Sequence, residues 1–152
     1  HFPQVVLGAA FSWGMPMAFM AIQLQLPALV WYLYLANLCW TVAYDTYYAM
    51  VDKPDDLKAG IKSTAILFGK HVLVTILLLQ LLTLLLLGYV GVLAQLSMVY
   101  YAALVCCSLA IIYQYRLARQ SRAGCFQAFL DNHYVGLLVF SGIALHYYIT
   151  GS

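Results

Sequence analysis

Five long apolar runs constrain this sequence more than any other feature. They lie at about residues 5–24, 28–50, 71–90, 92–115 and 132–150. Each is close to the roughly 20 residues that an α-helix needs to cross the hydrocarbon core of a bilayer. Only 8% of the residues are charged and glutamate is absent, whereas a soluble domain carries about a quarter charged residues. The runs therefore predict an all-α, polytopic transmembrane bundle of five spanning helices, formed as a single domain over residues 1–152.

The basic residues are confined to two short segments. Four lysines lie between the second and third runs, and three arginines lie between the fourth and fifth: Lys53, Lys58, Lys62, Lys70, Arg116, Arg119 and Arg122. Five crossings put both segments on one side of the membrane and the uncharged turns near residues 25–27 and 88–91 on the other. The positive-inside rule then predicts that the charged segments face the cytoplasm in a bacterial inner membrane, or the matrix in a mitochondrial inner membrane.

Four of the five aspartates are concentrated within residues 45–56. Asp45 lies in the last turns of the second predicted helix, where a carboxylate is costly unless it faces water, a cation or a partner. At about 100° per residue, Asp45, Asp52 and Asp56 fall within a narrow stripe on one helix face. Pro54 disfavours helical geometry at the residue before it. The three carboxylates are therefore expected to converge either along one helix or across a bend near Asp52.

Carboxylates this close together repel one another, and a divalent cation with oxygen ligands relieves the repulsion. Mg²⁺ suits such a site because it keeps several waters, takes one or two carboxylates and fills its other positions with phosphate oxygens. The neighbouring lysines, among them Lys58 and Lys62, add positive charge for the same phosphates. The segment thus indicates a metal and diphosphate site at the membrane surface. A solvated loop, or metal binding without catalysis in an ion-coupled transporter, is an alternative that spacing alone leaves open.

Tyrosines accompany the acidic stripe along the same predicted helix. An aromatic belt at the membrane interface is the ordinary explanation for several of them. Aromatic faces also stabilise cations, including a developing allylic carbocation. Tyr44 and Tyr48 lie beside the acidic face, and we favour the second explanation for these two residues.

The segment "YDTYYAMVDKPDDLKAGIKSTAILFG", at residues 44–69, resembles the second aspartate-rich motif of the UbiA superfamily of intramembrane prenyltransferases. Within that superfamily it is most similar to the enzymes that prenylate 4-hydroxybenzoate in ubiquinone biosynthesis. The segments "HFPQVVLGAAFSWGMPMAF" and "CFQAFLDNHYVG" resemble flanking parts of the same enzymes. The resemblance implies helices five to nine of a nine-helix bundle. The first motif of the family, NDxxDxxxD, does not occur in the sequence, so the chain resembles the C-terminal half of a larger prenyltransferase domain.

The resemblance also implies roles for particular residues. Asp45, Asp52 and Asp56 would be the catalytic aspartates that hold Mg²⁺ and, through it, the prenyl diphosphate. Lys62, within "GIKST", would contact the diphosphate, and Lys58 is a second candidate. The implied substrates are a polyprenyl diphosphate and 4-hydroxybenzoate. The implied partners are the lipid bilayer and an N-terminal half that carries the first motif, and no nucleic acid is implied.

Several alternatives stay open on the sequence alone. The acceptor is expected to be 4-hydroxybenzoate, but another aromatic such as a naphthoate would require the same motif. The segment is also compatible with a fragment that is inactive by itself, or with a transporter. A CDP-alcohol phosphotransferase is excluded, because such an enzyme would carry DGxxAR followed by GxxxDxxxD and neither pattern occurs here.

Overall fold

The computed structural model describes residues 3–151, and this part of the chain consists of helices and short connections, with no β-strand. The elements are α1 (Pro3–Ser12), α2 (Gly14–Gln23), α3 (Ala28–Ala59), α4 (Thr64–Leu67), a 3-10 turn (Gly69–His71), α5 (Val72–Leu93), α6 (Met98–Ala118), α7 (Arg122–Leu130) and α8 (Asn132–Thr150). The prediction of an all-α bundle is confirmed.

Four helical segments within residues 3–151 are long and apolar enough to cross a membrane. They are Pro3–Gln23, Gly69–Leu93, Met98–Ala118 and Arg122–Thr150. The remaining predicted span, 28–50, lies in α3, which is 32 residues long. α3 is less apolar than the others because Asn37, Asp45 and many tyrosines and tryptophans interrupt its aliphatic residues. The predicted count of five is therefore approximate and corresponds to four strongly apolar spans together with α3.

α3 occupies the centre of the bundle. It packs against α1 and α2, against α5, and against α4 and α7 near its C-terminal end, while α6 packs against α5, α7 and α8. The buried core around its C-terminal half is built largely from small residues, including Ala43, Ala49, Ala65 and Ala128. Small side chains let helix backbones approach closely, which is how helices associate within a membrane. The polar end of α3 is thereby held between neighbours on several sides.

The first apolar run is interrupted where the sequence predicts one continuous span. α1 ends at Ser12 and α2 begins at Gly14. Pro16 lies in the first turn of α2 and has no N–H to donate to the carbonyl of Ser12, so the regular helical hydrogen bonding fails at this point. Trp13 separates the two helices as a turn residue.

The predicted turn at residues 88–91 is wrong. α5 continues to Leu93, and the chain turns at residues 94–97 instead. Gly91 is buried inside the helix, where an added Cβ would lie 2.7 Å from the ring of Tyr100. This glycine therefore permits a close contact between α5 and α6. The last predicted run, 132–150, coincides with α8, and α7 precedes α8 directly at Asp131, so the two helices form one apolar segment from Arg122 to Thr150.

The two basic segments meet at one end of the bundle, which we call the charged end. Arg122 Nη2 lies 3.4 Å from Asp55 Oδ2, although the two residues are 67 positions apart in the chain. Because one residue belongs to each charged segment, this ion pair places both segments together. The arrangement agrees with the placement inferred from the two crossings that separate the segments in the sequence.

Candidate active site

Asp45, Asp52 and Asp56 lie on a single continuous helix. α3 runs from Ala28 to Ala59 and includes Pro54, so the alternative with a break near Asp52 does not occur. Pro54 lies about one and a half turns before the end of α3, where its missing N–H removes only one backbone hydrogen bond. We call the three residues Asp45, Asp52 and Asp56 the acidic stripe.

The acidic stripe differs from its exposed neighbour Asp55 in burial and in charge balance. All three stripe residues are half-buried, whereas the side chain of Asp55 is 68% exposed. Asp55 forms ion pairs of 3.4 Å with Lys58 and with Arg122. Within residues 3–151, no stripe carboxylate makes an ion pair or a side-chain hydrogen bond. Negative charge is therefore concentrated on one side of α3 without a basic side chain to balance it.

The spacing of the acidic stripe determines how it can bind a cation. Along the axis of α3, Asp45 and Asp52 are about 10 Å apart and Asp52 and Asp56 about 6 Å apart. Within the described residues, no group of three His, Cys, Asp or Glu side chains is close enough to hold a metal ion. The stripe thus offers the adjacent pair Asp52 and Asp56, with Asp45 deeper in the bundle. This donor set fits Mg²⁺, which takes one or two carboxylates and completes its coordination with water and phosphate oxygens.

Lys62 follows the end of α3 on a short connection, residues 60–63. Gly60 adopts a left-handed backbone with φ of 68° and ends the helix, and the N–H of Ile61 donates to the carbonyl oxygen of Asp56 at 2.9 Å. Lys62 is exposed and makes no ion pair with the described residues, whereas Lys58 is paired with Asp55. Of the two lysines that the sequence analysis proposed, Lys62 is the one whose charge is available.

Aromatic rings from α3 and α7 form a wall beside the stripe. The Tyr44 ring lies 5.6 Å from that of Trp40 and 6.0 Å from that of Phe129, and the Tyr48 ring lies 5.1 Å from Phe129 and 6.4 Å from Phe126. We call these five residues the aromatic wall. The sequence analysis identified Tyr44 and Tyr48 but missed the two phenylalanines. Their spacing of three residues on one face of α7 is the signal that would have pointed to them.

A groove of about 490 Å³ opens in front of the aromatic wall, between α1, α3, α7 and α8. Trp40 Nε1 donates a hydrogen bond of 3.1 Å to Asn132 Oδ1, and Asn132 Nδ2 donates to the carbonyl oxygen of Ala128 at 2.6 Å. The groove is lined by Phe11, Asn37, Trp40, Thr41, Tyr44, Phe129, Leu130, Asn132 and His133. It can therefore enclose a flat aromatic or allylic group and offers a few polar atoms along its edge.

An apolar cavity of about 250 Å³ lies deeper in the bundle and shares Asn37 and Trp40 with the groove. Its other walls come mainly from aliphatic residues of α3, α5 and α8. Gln80 lines this cavity, is fully buried, and has no hydrogen-bond partner for either atom of its amide within residues 3–151. Charge, aromatic rings and aliphatic surface thus follow one another from the charged end into the membrane. This order suits a ligand with an anionic head and a long hydrocarbon tail.

Comparison with known proteins gives consistent matches. Residues 1–144 match the UbiA prenyltransferase family. The chain is 60% identical over 146 residues to the 4-hydroxybenzoate octaprenyltransferase of Chromohalobacter salexigens, a match that covers 95% of this chain and 49% of that protein. It is 56% identical over 149 residues to the protein of the same name from Serratia proteamaculans, covering 97% of this chain and 51% of that protein. The chain spans about half the length of the curated relatives it matches. No solved structure matches it.

Proposed function

Because the chain belongs to the UbiA prenyltransferase family, we propose that it forms the part of an aromatic prenyltransferase that carries the second aspartate-rich motif. The proposed reaction transfers a polyprenyl group from a polyprenyl diphosphate to the ring of 4-hydroxybenzoate, as the names of the relatives indicate for those proteins. The observation that carries the proposal is the half-buried acidic stripe, which has no basic partner within residues 3–151 and lies next to the aromatic wall.

The charged end would bind the diphosphate of the donor. Asp52 and Asp56 would hold Mg²⁺ as a pair, and Asp45, about 10 Å from Asp52 along the axis of α3, would add negative charge that attracts cations from deeper in the bundle. When bound, Mg²⁺ would neutralise charge on the diphosphate and make it a better leaving group. Lys62 would stabilise the negative charge that grows on the diphosphate as the C–O bond breaks. Lys58 would contribute less, because it already pairs with Asp55.

The groove and the apolar cavity would hold the rest of the reactants. Breaking of the C–O bond leaves an allylic cation, and the faces of Tyr44 and Tyr48 would stabilise it. The ring carbon ortho to the hydroxyl of 4-hydroxybenzoate attacks this cation, and loss of the proton from that carbon restores aromaticity. The aliphatic surface around the cavity, together with the bilayer, would accommodate the polyprenyl tail.

The chain is an integral membrane protein, as its apolar helices and its family indicate. We infer from the basic segments that the charged end faces the cytoplasm of a bacterium, or the matrix of a mitochondrion. The partner would be an N-terminal half that supplies the first aspartate-rich motif and completes the site opposite the groove. This proposal follows from the matches, in which the chain covers about half the length of each relative.

The test is prenyl transfer by a chimera in which this chain replaces the matching half of the Chromohalobacter salexigens relative. Membrane vesicles that contain the chimera would receive a labelled polyprenyl diphosphate and 4-hydroxybenzoate, with and without Mg²⁺. We expect Mg²⁺-dependent transfer by the chimera and none by this chain alone. An inserted chimera that transfers nothing, while the unaltered relative is active in the same vesicles, would overturn the proposal.

A further inference from the structure

We propose that Thr46 and Thr64 are positioning residues that hold the connection bearing Lys62 against the C-terminal half of α3. This inference rests on the proposed function, because that function gives Lys62 its role toward the diphosphate. The two threonines and Gln4 form a buried set of hydrogen bonds that joins α1, α3 and α4, and we call this set the threonine network.

The hydrogen bonds of the threonine network have defined donors and acceptors. Thr46 Oγ1 donates to the carbonyl oxygen of Val42 at 2.5 Å, and its distance to Thr64 Oγ1 is 2.8 Å. A hydroxyl has one hydrogen to donate. Thr46 therefore accepts from Thr64, and the donors run from Thr64 to Thr46 to the backbone of α3. The backbone N–H of Thr64 in turn donates to Gln4 Oε1 at 3.2 Å.

The threonine network lies in the interior of the bundle and not at its surface. Thr46 and Thr64 are completely buried, and Gln4 is only 8% exposed. Apolar residues of the same shape would fill this space without needing any partner. A buried hydrogen-bond network whose members are all satisfied rigidifies the elements that it joins and favours one arrangement of them. The network therefore sets the register of α4 against α3 and α1.

The connection that carries Lys62 is fixed at both ends. At its start, the N–H of Ile61 is bonded to the carbonyl oxygen of Asp56, a residue of the acidic stripe. At its end, Ser63 is 2% exposed and is followed directly by Thr64 of the network. Thr46 itself follows Asp45 in the sequence. The backbone of Lys62 is consequently held between the bond to Asp56 at one end and the bond from Thr64 to Thr46 at the other, while its side chain is exposed.

The kinetic test uses the chimera with the double substitution T46V/T64V, which removes both hydroxyls together and leaves neither unpaired. We expect the KM for the polyprenyl diphosphate to rise about 5-fold to 10-fold while kcat changes less than about 3-fold. T46S/T64S keeps both hydroxyls and is expected to stay near the unaltered KM. T75V is the control for loss of a threonine hydroxyl, because the Thr75 hydroxyl donates to the backbone carbonyl oxygen of His71, four residues back, and takes no part in the network.

A coupling measurement separates positioning from a general loss of structure. In the unaltered chimera, K62A is expected to raise the KM about 10-fold. In the T46V/T64V background the same substitution should add less than about 3-fold, because Lys62 would already be displaced. Independent effects that simply multiply, or an unchanged KM in the double valine variant, would overturn the inference.

Tryptic cleavage gives a readout that does not depend on activity. The bond between Lys62 and Ser63 should be protected, since Ser63 is buried. We expect the double valine variant to be cleaved there several times faster, with cleavage after Lys70 unchanged. An inactive chimera with this cleavage pattern would refute the proposed function while supporting the network. An active chimera whose cleavage at Lys62 is unaltered by T46V/T64V would refute the network alone.

Discussion

The two sides of the C-terminal end of α3 carry the same chemical group in opposite circumstances. On one side, Asp55 is exposed and pairs with Lys58 and Arg122. On the other, the acidic stripe is half-buried and has no basic partner among the described residues. An exposed ion pair contributes little, typically about 0–1 kcal/mol. A carboxylate withdrawn from water without a partner is costly and marks a place where a cation belongs.

Burial and ion pairing distinguish the acidic stripe from Asp55 more clearly than position in the sequence does. Asp55 and Asp56 are adjacent, and the motif alone gives no reason to treat them differently. Within residues 3–151, the basic side chains of the charged end form ion pairs with Asp55 and with no other aspartate of this motif. The stripe is thereby left without a basic partner among these residues, as the proposed Mg²⁺ site requires.

The largest effect should come from neutralising the stripe. In the chimera, D45N and D52N are each expected to lower Mg²⁺-dependent transfer at least about 100-fold, because each removes one of the stripe carboxylates proposed to attract and hold Mg²⁺. D55N should change it less than about 2-fold. Transfer of labelled prenyl groups in vesicles measures all three, and immunoblots of the membrane fraction check insertion. Equal losses in D55N and D52N would remove the distinction between the two sides.

The same comparison applies to Lys62 and Lys58, of which only Lys58 pairs with Asp55. K62Q is expected to raise the KM for the polyprenyl diphosphate about 10-fold, because one charge-assisted contact with the diphosphate is lost. K58Q should raise it less than about 2-fold, since Lys58 is bound to Asp55. Initial rates at varied donor concentration measure both values. A larger effect for K58Q would show that the exposed side binds the donor.

Substitutions in the aromatic wall should have a smaller effect, and this effect should appear in kcat. Y48L removes a ring face near the stripe and is expected to lower kcat about 3-fold to 10-fold through the loss of a cation–π contact. Y48F keeps the ring and should remain near the unaltered rate. Single-turnover transfer at a saturating concentration of the polyprenyl diphosphate measures the rate of the chemical step directly. A loss in Y48F as large as in Y48L would assign the effect to the hydroxyl.

The smallest effect concerns stability. Breaking the exposed pairs with D55N should change the free energy of unfolding by less than about 1 kcal/mol, as is usual for ion pairs at a surface. Thermal unfolding of the purified chimera in detergent, followed by fluorescence, measures the change. A loss of several kcal/mol would mean that the pair between Arg122 and Asp55 holds α7 onto α3.

Local features of the sequence were sufficient to predict the helices and the stripe. Apolar runs of near-spanning length and offsets of seven and eleven residues are properties of a single helix, so no tertiary information was needed for them. The family suggested by "YDTYYAMVDKPDDLKAG" is likewise confirmed by the match over residues 1–144. The same reasoning proposes Lys62, because it follows the stripe closely in the chain, and its role stays a prediction.

Contacts between distant elements could not be predicted in this way. The sequence predicts a turn at Gly91, and only the nearby ring of Tyr100 explains why a glycine lies inside a helix there. The threonine network depends on how α1 and α4 pack against α3. The unequal treatment of Asp55 and Asp56 depends in part on an arginine 67 positions from Asp55.

The hydrogen bond between Trp40 and Asn132 has a consequence for biosynthesis, because it joins residues 92 positions apart. A ribosome completes α3 long before it has made α7 and α8. Until those last helices enter the bilayer, the groove has only part of its aromatic lining and Asp55 lacks its arginine. The groove is therefore complete only after α7 and α8 have been made and have packed against the rest of the bundle.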